Sequence, residues 1–204
     1  MASYDLSHLT QPEDQAVMGP IQDDEALFLY SIIRGMRLKR ILEIGGGYST
    51  KNFHQALRGE GMLYTADVEP MPVLGPNHKV ILKNVLFIYP EDVDNAPLDL
   101  VFFDCHDYKF QMAMFIRLRD HGCITDDTII ALHDTNLHPQ KFLKDAYPID
   151  EGFVHVVMER QMTNDFKDMG YDVFSLHTNK LAHNPSFPFR HGVSICRKFK
   201  YLKV

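Results

Sequence analysis

Cysteine is scarce in this 204-residue chain: there are three, at positions 105, 123 and 196, and no pair has Cys-x-x-Cys spacing. An odd, sparse set of this kind excludes a disulfide scaffold and a structural zinc motif. No apolar run approaches the ~20 residues that cross a bilayer, and the first twenty residues lack a basic start followed by an apolar block. The expectation is therefore a cytoplasmic protein with no membrane partner. An excess of basic charge is missing too. Lys and Arg number 21 against 27 Asp and Glu, for a formal charge of −6, which argues against a nucleic-acid partner. The short basic stretch 197–203 reads as a solvated last strand. No repeat or low-complexity tract is present, so solenoid architectures are set aside.

What is present is an ordinary globular composition, 45% hydrophobic and 24% charged, at a length that favours one domain over residues 1–204, with 1–21 as a polar leader. Short apolar runs alternate with helical patterns. Asp23 and Asp24 open a helix whose apolar residues Ala26, Leu27, Leu29, Ile32, Ile33 and Met36 recur at helical spacing. Strands are expected at 40–44, 62–68, 79–82, 98–103, 128–133, 172–176 and 193–196. Helices are expected from a cap at Ser49 or Thr50 to about 58, over 110–119 and over 154–169. Strand-then-helix grammar implies parallel βαβ units in a doubly wound α/β sheet. Such sheets bind ligands at the carboxyl ends of their strands. There the polar residues collect: 45–50, Asp67 with Glu69, 104–107 and 133–136.

The segment Glu43-Ile44-Gly45-Gly46-Gly47-Tyr48-Ser49-Thr50 places flexible backbone between a strand and a helix, where a ligand can approach unpaired N–H groups. It lacks the third glycine of a dinucleotide fingerprint and the Lys of a phosphate loop, which disfavours both ligands. Asp67 closes the second strand, where an acid can accept bonds from both ribose hydroxyls of an adenosine-type ligand.

The runs ILEIGGGYST, YTADVEP, LDLVFFDCHDY and TIIALHDTN resemble the successive motifs of the class I S-adenosylmethionine-dependent methyltransferases, particularly small catechol-type O-methyltransferases and their bacterial relatives. The resemblance spans about 40–136. It implies a mostly parallel seven-stranded Rossmann-like sheet with a reversed final strand, so that the hairpin 172–176 and 193–196 would run antiparallel to the rest. It also implies S-adenosylmethionine as cofactor, with Glu43, Gly45 and Gly47 at its methionine part and Asp67 on its ribose. The expected cofactor set is Glu43, Gly45, Gly46, Gly47, Ser49, Asp67, Glu69 and Asp104.

In the catechol-type enzymes a divalent cation is held by the acid ending the fourth strand and an Asp-Asn pair ending the fifth. The matching positions here are Asp104, His133 and Asp134, with His-Asp in place of Asp-Asn. Carboxylates suit Mg²⁺, and an added imidazole shifts preference toward Mn²⁺ or Zn²⁺. The family's general-base lysine has no match, since Asp107 stands at that spacing and Lys109 two residues on. His106 is the better candidate, because neutral imidazole accepts a proton near physiological pH. The catalytic set is thus His106, Asp104, His133 and Asp134, acting on a small-molecule hydroxyl acceptor, with self-association left open. Two alternatives stand beside this reading: a cofactor-binding protein of the same fold without transfer activity, and a nicotinamide-dependent oxidoreductase.

Overall fold

A computed structural model describes residues 21–135, 158–176 and 192–198. Helix α1 (Asp23–Met36) is followed by β1 (Arg40–Ile44), α2 (Tyr48–Leu57), β2 (Met62–Asp67), β3 (His78–Leu82), β4 (Leu100–Phe103), α3 (Tyr108–Asp120), β5 (Ile129–Leu132), α4 (Met158–Asp168), β6 (Asp172–Leu176) and β7 (Val193–Arg197). The strands form one seven-stranded sheet in the order β3-β2-β1-β4-β5-β7-β6. β1 pairs in parallel with β2 and β4, and β5 in parallel with β4. β7 pairs antiparallel with both β5 and β6. Only β7 is therefore reversed; β6, antiparallel to β7, shares the direction of β1–β5, which corrects the expectation that the whole hairpin opposes the rest.

Apolar side chains alternate along the strands because successive residues point to opposite faces. Leu42, Ile44, Val101, Phe103, Ile130 and Leu132 pack with Met114 and Phe115 of α3 and Phe166 of α4. Ile41, Leu63, Phe102, Ile129 and Ala131 pack with Leu29 and Ile33 of α1 and Phe53 of α2. Both faces are covered, so the strands read as near-continuous apolar runs. The same alternation puts Glu43, in step with Ile41, on the α1–α2 face. His133 follows there in step with Ile129 and Ala131.

Three local expectations differ from the structure. The polar leader ends one residue early, because Ile21 is buried in the α1–α2 core. The cap of α2 is Gly47 rather than Ser49 or Thr50. Thr50 sits one turn inside and its Oγ1 accepts from Gly47 N at 3.0 Å, while Ser49 turns inward to Glu43. Helix α3 is capped by Asp107, whose carboxylate accepts from Phe110 N at 3.0 Å, and Asp104 is thereby left to the strand end. The part of the expected helix before 158 and Asn136 lie outside the described residues.

Candidate active site

The topological switch point of this sheet lies between β1 and β4, where neighbouring strands send their connections to opposite faces. Above it opens a cleft of about 200 Å³ lined by Ile44, Gly45, Ala66, Asp67, Lys83 and Cys105 among others. Gly45 adopts φ +88°, and a Cβ there would run into the backbone carbonyl of Asp104. The glycine is therefore required by the fold, since an L side chain rarely takes this conformation and none has room. Gly47 differs: a Cβ built on it meets nothing within 4 Å. Asp67 ties the turn to β2, accepting from Gly46 N at 2.7 Å and from Glu69 N at 2.9 Å. An ionised carboxylate has about four acceptor positions, so two bonds leave capacity for a ligand's hydroxyls. Glu69 itself is exposed and is not among the residues lining the cleft.

Glu43 does not face the cleft. It is fully buried beneath the turn, where Ser49 Oγ donates to Oε1 at 2.5 Å and Thr65 Oγ1 to Oε2 at 2.8 Å. Direct contact of Glu43 or Ser49 with a cofactor does not fit this burial; the pair braces the turn from below. Burial pushes the Glu43 carboxyl up to about 7, against the lowering effect of Ser49, Thr50 and Thr65. A folded state that holds this proton more tightly than the unfolded chain gains stability at low pH and loses it as pH rises from about 4.5 to about 7. Glu43→Gln is accordingly expected to gain on the parent by on the order of 2–3 kcal/mol between about pH 5 and about pH 8. Urea midpoints at the two pH values check this, and parallel shifts of parent and variant would contradict it.

At the ends of β4 and β5 the backbone turns through the left-handed region twice, at His106 (φ 56°) and Asp134 (φ 53°). Non-glycine residues held there cost of order 1–3 kcal/mol each, and such strain clusters at functional sites. The turns bring Asp104, His133 and Asp134 together: one ligand atom from each lies within 4.8 Å of the others. His133 Nδ1 stands 3.1 Å from Asp104 Oδ1 and 3.6 Å from Asp134 Oδ1. Divalent ions hold N and O donors at about 2.0–2.2 Å, so adjacent donors on one ion stand roughly 3–3.5 Å apart. The donor set and its spacing fit a divalent cation.

His106 approaches the same carboxylates, its Nε2 lying 3.5 Å from Asp134 Oδ2 and 3.9 Å from Asp104 Oδ1. On its other side Glu159 of α4 takes the His106 backbone N–H at 3.0 Å, lies 3.3 Å from Nδ1, and accepts from Gln111 Nε2 at 3.0 Å. Burial pulls the His106 imidazole down, but Glu159, Asp104 and Asp134 outweigh it and hold the group at about 9. In this environment His106 is a cation at neutral pH, not the neutral base expected from its ordinary value. Burial likewise pushes the Asp104 carboxyl up, opposed by both histidines, while its neighbouring carboxylates raise His133 well above the usual range.

Two buried glutamates went unnoticed in the sequence. Glu159 sits on a helix distant in the chain, and Glu25 stands beside Asp23 and Asp24 in the first turn of α1 with nothing local to distinguish it. Glu25 is fully buried and lies 3.2 Å from His133 Nε2.

No protein-family model matches the chain, and no curated protein matches it. Solved structures do. A Bacillus cereus O-methyltransferase in complex with S-adenosylhomocysteine superposes with a TM-score of 0.64 at 17% identity, over 91% of this chain and 86% of that one. A Podospora anserina methyltransferase with bound S-adenosylhomocysteine gives 0.59 at 18% identity, over 96% and 87%. The mycinamycin-pathway methyltransferase MycE, in complex with Mg, S-adenosylhomocysteine and mycinamycin VI, gives 0.60 at 17% identity, over 98% of this chain and 56% of that one. The chain has the Rossmann-like fold of class I methyltransferases, with the strand order and single reversed strand described above. Small O-methyltransferases are among the solved structures that share this fold, at 18% and 17% identity. Among the described residues no helix is long and apolar enough to cross a membrane.

Proposed function

We propose that this protein transfers the methyl group of S-adenosylmethionine to a hydroxyl oxygen of a small molecule. One observation carries the reading: the cleft between the glycine turn and Asp67 is also lined by Cys105 and Asp107, which follow β4 on either side of His106 and next to Asp104, where the Asp104, His133 and Asp134 cluster begins. A cofactor half and a reacting half thus meet at one switch point. The S-adenosylhomocysteine bound to the B. cereus and P. anserina enzymes, and the Mg bound to MycE, support it.

Asp67 is assigned to the ribose hydroxyls and the backbone of Gly45 and Gly47 to the methionine end. The cofactor supplies an electrophilic methyl carbon on a sulfonium, so the protein's task is to align an oxygen with it, exclude water and take up a proton. Asp104, His133 and Asp134 would hold a divalent cation, which would lower the pKa of an acceptor hydroxyl and offset the carboxylate charge that raises the pKa of His106. His106 Nε2, steadied through Nδ1 by Glu159, is then placed to receive the acceptor's proton.

Titration calorimetry with S-adenosylmethionine and S-adenosylhomocysteine tests the cofactor; no binding by either at high micromolar concentration would sink the proposal. Methyl transfer across a panel of phenols, sugars and polyketide hydroxyls tests the activity. The missing general-base lysine and the His-Asp pair in place of Asp-Asn favour one second reading, a chain that binds the cofactor and transfers nothing, and cofactor binding with no turnover across the panel would select it. For the cation, exhaustive EDTA treatment is expected to abolish transfer, and Mg²⁺, Mn²⁺ or Zn²⁺ to restore it. Transfer that survives chelation and responds to none of the three removes the cation from the mechanism.

A further inference from the structure

Glu25 lies 108 residues from His133 in sequence, yet its carboxylate meets the imidazole inside the α1–α2 face of the sheet. Two backbone groups meet the same carboxylate. Glu25 Oε2 accepts from Gln22 N at 2.8 Å and Oε1 accepts from Gly192 N at 2.5 Å. A carboxylate that accepts from two backbone N–H groups is acting as an ionised acceptor, so the contact at His133 Nε2 is an N–H donated by the ring. Nδ1 is the nitrogen turned to Asp104 and Asp134; without an ion it shares a proton with Asp104 Oδ1 at 3.1 Å, and a bound cation would take that proton's place. The ring is further fixed by Phe102, whose centroid lies 6.2 Å away at a 36° tilt.

An imidazole that presents one nitrogen to a group of carboxylates and gives its other N–H to a buried carboxylate has the arrangement by which proteins orient a metal-binding histidine. We propose that Glu25 is the positioning residue of the cation site: it holds His133 with Nε2 protonated and Nδ1 directed at the ion shared with Asp104 and Asp134. The inference rests on the cation reading above and adds a residue of the first helix to it. Because Gly192 binds the other oxygen of Glu25, the start of β7 is tied to the same point. An imidazole nitrogen in the donor set favours a transition ion, so Co²⁺ and Zn²⁺ are the suitable probes.

The test is a Co²⁺ titration of the full chain, followed by calorimetry and by the visible absorption of the bound ion. The variants are Glu25→Gln, which keeps an acceptor oxygen but loses the charge, the conservative Glu25→Asp, and His133→Asn as the reference for a lost ligand. Glu25→Gln is expected to weaken Co²⁺ binding roughly tenfold to a hundredfold and to change the absorption envelope. Glu25→Asp should recover part of both, and S-adenosylhomocysteine affinity should stay within about twofold of the parent's, a shift of under about 0.5 kcal/mol. Unchanged Co²⁺ binding in Glu25→Gln would reduce Glu25 to a helix cap and overturn the proposal, as would a parent that binds no Co²⁺ or Zn²⁺. In that last case, retained S-adenosylhomocysteine binding by the same sample leaves the methyl-transfer reading standing. A measurement on the parent alone guards against variants that fail to fold. In imidazole ¹⁵N spectra during Zn²⁺ titration, His133 Nε2 should remain protonated while Nδ1 takes the ion, and coordination through Nε2 overturns the assignment.

Discussion

Gly45→Ala is expected to unfold the protein more readily while Gly47→Val leaves it folded and unable to bind cofactor. At Gly45 two penalties act together. The left-handed backbone costs a residue with a Cβ roughly 1–2 kcal/mol, and the new carbon collides with the Asp104 carbonyl, which cannot yield without breaking the β1–β4 junction. A loss of about 3 kcal/mol or more should follow, lowering the melting temperature by on the order of 10 °C in a chain of this length. At Gly47 a side chain enters open space, so the melt should hardly move. If the cofactor lies against this backbone, the branched side chain fills its place and S-adenosylhomocysteine binding should fall below detection. Thermal melts and calorimetry on the two variants check both halves. A Gly47→Val protein that binds normally would mean that the turn is only a turn.

The second large effect is expected at Asp67. Asp67→Ala should lose on the order of 1.5–3 kcal/mol of cofactor affinity, roughly tenfold to a hundredfold, as hydrogen bonds to a charged acceptor disappear. It should lose a smaller amount of stability as well, because Gly46 N and Glu69 N each lose their acceptor. Glu69→Ala should change affinity little, since its exposed side chain stands outside the cleft lining. The reverse ranking in calorimetry would transfer the ribose contact to Glu69.

The strands were legible because a sheet covered on both faces writes itself as apolar runs stopped by glycine or acid, as at 40–47 and 98–104. The positions of Asp67, Asp104, His133 and Asp134 followed from the same grammar. Their surroundings did not. Nothing local marks Glu25 as different from Asp23 or Asp24 beside it; only the packing of α1 against β5 aims it at His133. Glu159 reaches His106 across 53 residues and, with Asp104 and Asp134, outweighs burial and raises the imidazole to about 9. Ser49 looked like a helix cap by residue type, but the neighbouring Glu43 carboxylate claims its hydroxyl. Side-chain chemistry was thus readable wherever the backbone period fixed the direction. It was lost wherever a partner arrived from another part of the chain.

The bond between Glu25 and Gly192 closes a span of 167 residues, and β5 finds its outer neighbour only in β7. Contacts this distant along the chain form late, because a large loop entropy must be met before they contribute. During synthesis the first helix and the glycine turn leave the ribosome long before β7 exists to complete the packing around His133. A nascent chain can therefore fold much of its sheet while the contacts that hold His133 are still unformed, and the cluster at the strand ends is completed only once β7 has been made.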